Sequence, residues 1–358
     1  MKQQVFIIAE AGVNHNGRMD LAFELIDAAA RAGADAVKFQ TFEPERLVTR
    51  SARKAAYQAV NTNDAGSQLD MLRQLALGAD QFRMLSDHCR TRSITFLSTA
   101  FDLASLDLLA RLDMPAIKIP SGDIDYAPML LAAARLGRKL IISTGMATLG
   151  EIEAALGVVA FALTNADEPR GAANFQAAYL DPRGQAALRE QVTLLHCVSD
   201  YPAPPATINL RAMDTMATAF GLPVGYSDHS AGIEIALAAV ARGATIIEKH
   251  FTLDRTLPGP DHKASLEPDE LTQMVAGIRN IEAALGVATK LPGEREIANR
   301  AIVRRSLVAT RRIHAGEVFS ASDFECKRPA GGLPPIELWD LIGRTSSRDY
   351  EIDDPIQP

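Results

Sequence analysis

The amino-acid sequence predicts an α/β protein, a (β/α)8 barrel followed by a small C-terminal domain, and three observations support this fold class. Eight short apolar runs of strand length follow one another before Gly286. Segments with helical periodicity separate several of these runs. After Gly286 the alternation stops and the chain becomes rich in turns. Apolar strands separated by helices are typical of a parallel sheet covered on its outer face, and eight such units fit a barrel of about 250 residues.

The eight runs are interpreted as strands because they are short, apolar and rich in β-branched or aromatic residues. They lie at residues 5–10, 36–41, 95–100, 116–122, 140–145, 193–198, 223–229 and 245–251. An open, doubly wound sheet is the alternative. That fold usually has fewer strands and a glycine-rich phosphate loop, and no G-x-G-x-x-G or P-loop motif follows the first run.

The segments between the runs include clear amphipathic helices and two long interruptions. Residues 19–34, MDLAFELIDAAARAGA, are rich in alanine, and their helical pattern ends at Gly33. Residues 103–113 and 232–244 show similar patterns. Residues 41–94 and 163–192 are longer than a simple strand-to-strand connection needs, and we interpret both as insertions.

The C-terminal part of the chain differs in character from the barrel. We divide the protein into a barrel domain at residues 1–286, a linker at 287–300 and a small domain at 301–358. The last segment contains the turn-rich stretches IHAGEVFSASDF, KRPAGGLPP and LIGRTSS. A core of that size is marginal alone, so we expect this domain to pack on another surface.

Composition excludes several classes of function. The formal net charge is -7 and no basic stripe is present, so nucleic acid is not expected as a partner. No apolar run approaches the roughly 18 residues of a transmembrane helix, and the N-terminal run is too short for a signal peptide. The three cysteines, Cys89, Cys197 and Cys326, lie far apart, which indicates a reducing compartment. We therefore expect a cytoplasmic protein with no membrane partner.

Polar side chains end every predicted strand, and this pattern locates the candidate active site. In a (β/α)8 barrel the chemistry gathers at the carboxyl ends of the strands. The polar residues at these ends are Glu10, Lys38, Gln40, Ser98, Thr99, Lys118, Ser121, Ser143, Thr144, His196, Ser227, Asp228, His229, Glu248, Lys249 and His250.

The tripeptide Ser-Asp-His occurs twice, and its two copies have different contexts. Residues 86–88 lie in a pattern typical of a polar helix surface, whereas residues 227–229 end the seventh strand. His250 ends the eighth strand, and neighbouring strands lie about 4.8 Å apart. His229 and His250 could therefore share a divalent ion, for which Mn²⁺ is the first choice and Mg²⁺, Zn²⁺ or Co²⁺ are the alternatives. His196 is a competing ligand.

Two lysines at strand ends indicate an anionic ligand. Burying Lys38 and Lys118 is costly unless an anion compensates their charge. Hydroxyl groups at neighbouring strand ends would complete a ring of donors for a phosphate, with or without a carboxylate. These hydroxyls belong to Thr99, Ser121, Ser143 and Ser227. The alternative is a lysine that forms a Schiff base, as in class I aldolases.

Taken together, these segments resemble the N-acetylneuraminate (sialic acid) synthase family, which includes N,N'-diacetyllegionaminate synthases. The resemblance covers nearly the whole chain. Its motifs are IIAEAGVNHNG (7–17), DAVKFQTF (35–42), FLSTAFD (96–102), IKIPSGD (117–123), IISTGMAT (141–148), LLHCVSDYPAP (194–204), GYSDHSAG (225–232), IIEKHFTLDRTLPGPDH (246–262) and KRPAGG (327–332). The chain departs from the family pattern at Ala100, at Ser199 and in the 163–192 insertion.

The resemblance implies a fold, a reaction and an assembly. It implies a barrel followed by an antifreeze-like (SAF-type) domain, in a domain-swapped homodimer. The implied reaction condenses phosphoenolpyruvate with an N-acetylated hexosamine and water, and it yields a nonulosonic acid and phosphate with cleavage of the C–O bond of phosphoenolpyruvate. A non-catalytic sugar-phosphate-binding barrel is a further alternative. The acceptor is either N-acetylmannosamine or a 2,4-diacetamido-2,4,6-trideoxy sugar, with a slight preference for the latter.

The resemblance also implies a role for each residue of the site. Glu10 would orient or deprotonate groups at the reaction centre, and His229 and His250 would hold Mn²⁺. Phosphoenolpyruvate would bind to Lys38, Thr99, Lys118, Ser121, Ser143 and Ser227. The sugar would contact Gln40, Tyr201 and Asp261, with Arg328 reaching its N-acetyl group from the partner chain.

Overall fold

The fold was analysed in a computed structural model that describes residues 4–62 and 66–358. Eight parallel strands close into a barrel in sequence order, and β1 pairs with both β2 and β8. The barrel strands are β1 (Phe6–Gly12), β2 (Ala36–Thr41), β3 (Thr95–Ala100), β4 (Ala116–Ile119), β5 (Lys139–Ser143), β6 (Val192–Cys197), β7 (Val224–Asp228) and β8 (Ile246–His250). The observed and predicted bounds agree within one or two residues, except that β4 ends at Ile119, three residues before the end of its predicted run. The prediction of a (β/α)8 barrel is confirmed, and the closure of β1 on β8 excludes the open sheet.

The helices cover the outside of the barrel and also form the long connections. They are α1 (Met19–Ala32), α2 (Pro44–Leu47), α3 (Ala56–Thr62), α4 (Gln68–Leu75), α5 (Ala79–Thr91), α6 (Leu103–Leu109), α7 (Ala127–Arg135), α8 (Leu149–Thr164), α9 (Ala172–Leu180), α10 (Pro182–Gln191), α11 (Pro205–Ile208), α12 (Ala212–Phe220), α13 (Glu234–Ala241) and α14 (Pro268–Leu285). The apolar faces of most of these helices and the barrel strands form one continuous core. No helix in the described part of the chain is both long and apolar enough to cross a membrane.

Local sequence explains where individual helices begin and end. Helix α1 ends at Gly33, which adopts the left-handed conformation with φ of 80°. Helix α8 begins at a capping box, in which Thr148 and Glu151 each bond the other's backbone N–H. The 163–192 insertion forms α9 and α10, which pack on α8.

The chain divides into two compact units, of which the first ends at Gly286 and the second begins at Val287. The second unit contains α15 (Glu294–Val303), α16 (Leu338–Leu341) and an antiparallel pair, β9 (Ser306–Ala309) and β10 (Phe324–Lys327). Helix α15 therefore occupies much of the segment that the sequence suggested as a linker. A separate small core stabilises this unit, and its members include Leu307, Phe319, Phe324 and Ile356.

Candidate active site

A cavity of about 490 Å³ opens at the carboxyl ends of the barrel strands. It collects all the predicted site residues of the first unit, because parallel strands end at the same rim. These lining residues are Glu10, Lys38, Gln40, Thr99, Lys118, Ser121, Ser143, Tyr201, Ser227, His229, His250 and Asp261. Arg328 belongs to the second unit.

Side-chain alternation at the ends of β7 and β8 decides which residues reach the cavity. Ser227, His229, Glu248 and His250 line it, whereas Asp228 and Lys249 do not. The latter two form a fully buried ion pair of 2.8 Å, which joins β7 to β8. Their role is therefore in holding the two strand ends together.

Two lysines and two glutamates form an ionic cluster at the base of the cavity. The Lys38 ammonium lies 2.7 Å from Glu10 and 3.6 Å from Glu248. Lys118 lies 3.6 Å from Glu248 and donates to the Ser143 hydroxyl at 2.7 Å. Lys38 also donates to the Thr99 hydroxyl at 2.9 Å. The cluster is buried, and its two positive charges balance its two negative charges. An anion that enters the cavity can bind to the lysines and to the hydroxyl groups that they contact.

Burial and neighbouring charges shift the pKa values in this cluster in opposite directions. Burial raises the pKa of Glu10 above its ordinary value, although Lys38 opposes the shift. Burial acts the same way on Glu248, but Lys118 and Lys38 outweigh it and lower the pKa of that carboxyl. Burial lowers the pKa of Lys118, whereas at Lys38 the carboxylates of Glu10 and Glu248 outweigh burial and raise the pKa. Glu248 is therefore the firmly ionised carboxylate, and Glu10 is the one able to exchange a proton near neutral pH.

His229 and His250 lie side by side with ring centroids 5.6 Å apart. Burial lowers the pKa of His229 to about 4 and that of His250 well below its ordinary value, so both rings are neutral at pH 7. The Val198 carbonyl lies 2.7 Å from Nδ1 of His229, so this nitrogen carries the proton and Nε2 keeps its lone pair. The Nδ1 atom of His250 is buried and has no hydrogen-bond partner among the described residues.

These two rings fit a divalent ion that takes few protein ligands. Neutral imidazole is the form that binds metals, and its second nitrogen is commonly fixed by a backbone carbonyl, as at His229. Within the described residues no group of three or more His, Cys, Asp or Glu side chains is arranged to hold a metal. The protein would thus supply two ligands and leave the remaining positions to water and substrate. His196 does not line the cavity, and its Nε2 bonds the Ile208 carbonyl at 2.6 Å, so it is not a competing ligand.

The second Ser-Asp-His copy lies on α5, as the helical pattern predicted. Asp87 is exposed, but His88 is half-buried and pairs with Asp27 at 2.7 Å. Its ring also packs against Phe23, with centroids 4.8 Å apart. This copy stabilises the contact between α5 and α1 and lies away from the cavity.

The structure adds lining residues to which the sequence gave no role. Glu248 was identified only as a polar residue at the end of a strand. It lies two residues before His250, so both side chains point to the same face of β8, and this spacing could have predicted that Glu248 lines the cavity. Asp123 lines the cavity, and its Oδ2 is buried without a hydrogen-bond partner among the described residues. Burial, with a smaller contribution from Asp125, raises the pKa of Asp123 to about 6.

One side of the cavity is apolar, which the sequence did not predict. A small hydrophobic cluster, separate from the main core, lines it with side chains from the connection between β2 and β3. We call this cluster the apolar wall, and it consists of Phe42, Leu47, Val48, Met71, Leu72 and Leu75. Met71, Leu72 and Leu75 share the buried side of α4, whereas Phe42, Leu47 and Val48 come from the segment that follows β2, so only the folded chain brings the two groups together.

A closed (β/α)8 barrel with an ionic cluster and paired histidines at its strand ends defines an enzyme of the barrel class. The chain belongs to the NeuB family, whose model matches residues 25–290, and a SAF domain model matches residues 304–358. The resemblance noted in the sequence is thereby confirmed, as is the SAF-type C-terminal domain.

Named relatives span almost the entire chain. An N,N'-diacetyllegionaminic acid synthase of Campylobacter jejuni is 45% identical over 99% of both chains. One of Legionella pneumophila is 43% identical over 94% of this chain and 89% of its own. The crystal structure of an N-acetylneuraminic acid (sialic acid) synthetase from Leptospira borgpetersenii is 35% identical, with a TM-score of 0.66 over 83% of this chain and 90% of that one.

Proposed function

We propose that this protein condenses phosphoenolpyruvate with an N-acetylated hexosamine and water to give a nonulosonic acid and phosphate. The observation that carries the proposal is the buried cluster of Lys38, Lys118, Glu10 and Glu248 beside two neutral histidines. It offers cations and hydroxyls to a phosphate, and a carboxyl that exchanges a proton near neutral pH. The names of the relatives, as synthases of legionaminic and sialic acids, support the same reaction.

The order in which bonds form and break follows from where charge develops on the two substrates. C3 of phosphoenolpyruvate attacks the aldehyde carbon of the open-chain sugar, and a C–C bond forms. The π bond of the aldehyde breaks, its oxygen takes up a proton, and positive charge develops at C2. Water adds at C2 and loses a proton, for which we propose Glu10 as the base, because burial raises its pKa to about 7. The C2–O bond of the tetrahedral intermediate then breaks, and phosphate leaves. Lys38 and Lys118 bind the phosphate and stabilise its charge throughout.

A divalent ion held by His229 and His250 would supply Lewis-acid polarisation of the sugar's aldehyde. Mn²⁺ is the proposed ion, with Mg²⁺ or Co²⁺ as alternatives, because a site with two imidazoles and oxygen ligands suits these metals. The chain's own contribution is the neutral state of both rings and the fixed tautomer of His229.

For the acceptor we propose a 2,4-diacetamido-2,4,6-trideoxy sugar rather than N-acetylmannosamine. Such a sugar carries a methyl group at C6 and a second acetamido methyl, where N-acetylmannosamine carries hydroxyl groups. The apolar wall favours methyl groups, because a hydroxyl that faces it would lose its hydrogen bond to water without replacement. The names of the two relatives from Campylobacter and Legionella support this choice.

We further propose that the enzyme is a domain-swapped homodimer, in which Arg328 of one chain reaches the acceptor bound by the other. A guanidinium can donate to the oxygen of an N-acetyl group. We also propose that the enzyme acts in the cytoplasm, in keeping with its free cysteines at positions 89, 197 and 326.

One assay tests the reaction. Purified protein is mixed with phosphoenolpyruvate and Mn²⁺, with each of the two acceptors in turn, and phosphate release is measured together with the mass of the sugar product. We expect release only when an acceptor is present, and loss of activity with EDTA. Trapping of a covalent adduct by borohydride, with activity that resists EDTA, would instead support a Schiff-base aldolase. Phosphoenolpyruvate binding without turnover of either sugar would support a non-catalytic barrel.

A further inference from the structure

The segments that follow β1 and β8 are joined by buried and half-buried polar side chains that the proposed mechanism does not use. These segments carry the sequences VNHNG, residues 13–17, and PGPDH, residues 258–262. The side chains that join them belong to Asn14, Asn16, His262 and Ser265, and we call this group the β1–β8 clamp. None of the four lines the cavity, so their function is not to touch a substrate.

The first connection runs from Asn14 to the backbone of Asp261. The Asn14 amide nitrogen donates to the Phe251 carbonyl at 2.8 Å and to the Ser265 hydroxyl at 2.9 Å. The Ser265 hydroxyl then donates to the Asp261 carbonyl at 2.7 Å. Both side chains are almost fully buried, so water does not compete for these bonds.

The second connection runs through His262, which is completely buried. Its Nε2 lies 3.1 Å from the Asn16 side-chain oxygen, which can only accept, so Nε2 carries the proton. Its Nδ1 then accepts from the Thr252 hydroxyl at 2.7 Å. Gly259 packs against this ring so closely that a Cβ atom there would lie 2.6 Å from it. The loop is therefore held on both sides of Asp261.

The carboxylate of Asp261 depends on this backbone support. It lines the cavity, and burial raises its pKa to about 6. Among the described residues no hydrogen bond to its side-chain oxygens is found, whereas its backbone carbonyl accepts from both Ser265 and Ala264. The position of the carboxylate is thus set by its main chain, and the clamp sets the main chain.

We infer that the β1–β8 clamp positions Asp261 for the acceptor sugar, with Asn14, Ser265 and His262 acting as positioning residues. The inference rests on the proposed function, because it takes Asp261 as a sugar contact. It goes further by assigning a task to the VNHNG and PGPDH segments, and by predicting that residues outside the cavity affect one substrate and not the other.

The test measures KM for each substrate in Ser265→Ala, with Ser105→Ala as the matched control. Ser105 is an equally buried serine, whose hydroxyl donates at 2.7 Å to Asp102 at the start of α6. We expect Ser265→Ala to raise KM for the acceptor roughly five- to tenfold, as one lost buried hydrogen bond would, with KM for phosphoenolpyruvate changed less than about twofold. Ser105→Ala should lower the melting temperature to a similar extent and leave both KM values unchanged.

A double-mutant cycle with Asp261→Ala separates positioning from general destabilisation. If Ser265 acts through Asp261, adding Ser265→Ala to Asp261→Ala should raise the acceptor KM by less than about twofold further. Full additivity of the two effects would overturn the inference, and so would a Ser265→Ala variant with both KM values unchanged. Failure of the proposed function would look different, because the wild-type protein would then release no phosphate with either acceptor.

Discussion

Lys38 and Lys118 carry positive charge into a cavity where two carboxylates already balance it. Phosphoenolpyruvate brings a phosphate and a carboxylate, so its binding leaves an excess of negative charge. A divalent ion on the two histidines would offset part of that excess, and a proton on Glu10 would offset more. The arrangement of the cluster is thus more consistent with an anion that binds together with a cation than with an anion that binds alone.

The lysines should therefore control the use of phosphoenolpyruvate. We expect Lys118→Ala to raise KM for phosphoenolpyruvate and to lower kcat, because a lost hydrogen bond to a charged group costs about 1.5–3 kcal/mol, or about tenfold to more than a hundredfold. Lys38→Ala should act in the same direction. Lys139→Ala is the control, because Lys139 is an exposed residue at the start of β5, whereas Ser143 at the other end of the strand lines the cavity. Steady-state kinetics in both substrates would contradict the assignment if only the use of the sugar were impaired.

The histidines should control metal content. We expect His229→Ala and His250→Ala each to lose bound Mn²⁺ and activity, because a site with two protein ligands cannot spare one. Metal bound after gel filtration, measured by elemental analysis, gives a readout that does not depend on turnover. His88→Ala is the matched control. It should keep metal and activity, and it should lower the melting temperature slightly through the lost contact with Asp27. Full metal content in His229→Ala would disprove the assignment.

At the scale of secondary-structure elements, the strands and the connections differ in how far sequence predicts them. The strands were located within one to three residues because their apolar runs are continuous, and their polar ends identified the cavity. In the structure, alternation along β7 and β8 separates His229 and His250, which line the cavity, from Asp228 and Lys249, which do not. The apolar wall was missed, because Phe42 and Leu47 lie in the segment after β2 whereas Leu72 lies on α4, and no local pattern links these separate segments. The hydrogen bonds that join the two segments of the β1–β8 clamp connect residues about 250 positions apart, and such pairs leave no local pattern.

The apolar wall should set the choice of acceptor. We expect Leu72→Thr to lower kcat/KM for the 2,4-diacetamido-2,4,6-trideoxy sugar about tenfold relative to N-acetylmannosamine, because a methyl group lost from such a contact changes specificity by about 10–200-fold. Leu69→Thr is the control, because Leu69 is a buried leucine on the same helix, α4, that does not line the cavity. The measurement is the ratio of kcat/KM for the two sugars. Equal effects of both variants on this ratio would show that the wall does not select the acceptor.

At the scale of the whole molecule, the second unit has large apolar side chains that are exposed and lie outside its own core. Ile336 and Trp339 are 79% and 73% exposed. Within residues 294–303, all of them described, helix α15 has no buried residue. A ten-residue helix is marginal in water unless it packs on another surface. The turn-rich sequence predicted that this unit would need a partner surface, and this stays a prediction. The unit's own core has nine buried residues. Sequence alone did not predict α15, because its apolar positions form no clear stripe.

If that partner surface belongs to a second copy of the chain, two variants that are each inactive should regain activity when they form a mixed dimer. In the proposed domain-swapped dimer, each active site combines the barrel of one chain with Arg328 of the other. Glu10→Ala and Arg328→Ala should each be nearly inactive as pure dimers, because every site lacks one part. In a mixed dimer, one of the two sites has an intact barrel and an intact arginine.

Random pairing of equal amounts of the two variants should therefore recover about a quarter of the wild-type activity, since half of the dimers are mixed and half of their sites are intact. The variants carry different affinity tags, are expressed together, and mixed dimers are purified by two successive affinity steps. The purified mixed dimers should then show about half of the wild-type activity. The control pairs Glu10→Ala with Lys38→Ala, whose defects both lie in the barrel, so that no mixed dimer contains an intact site. Inactive mixed dimers of Glu10→Ala with Arg328→Ala would place Arg328 in the site of its own chain or outside the reaction.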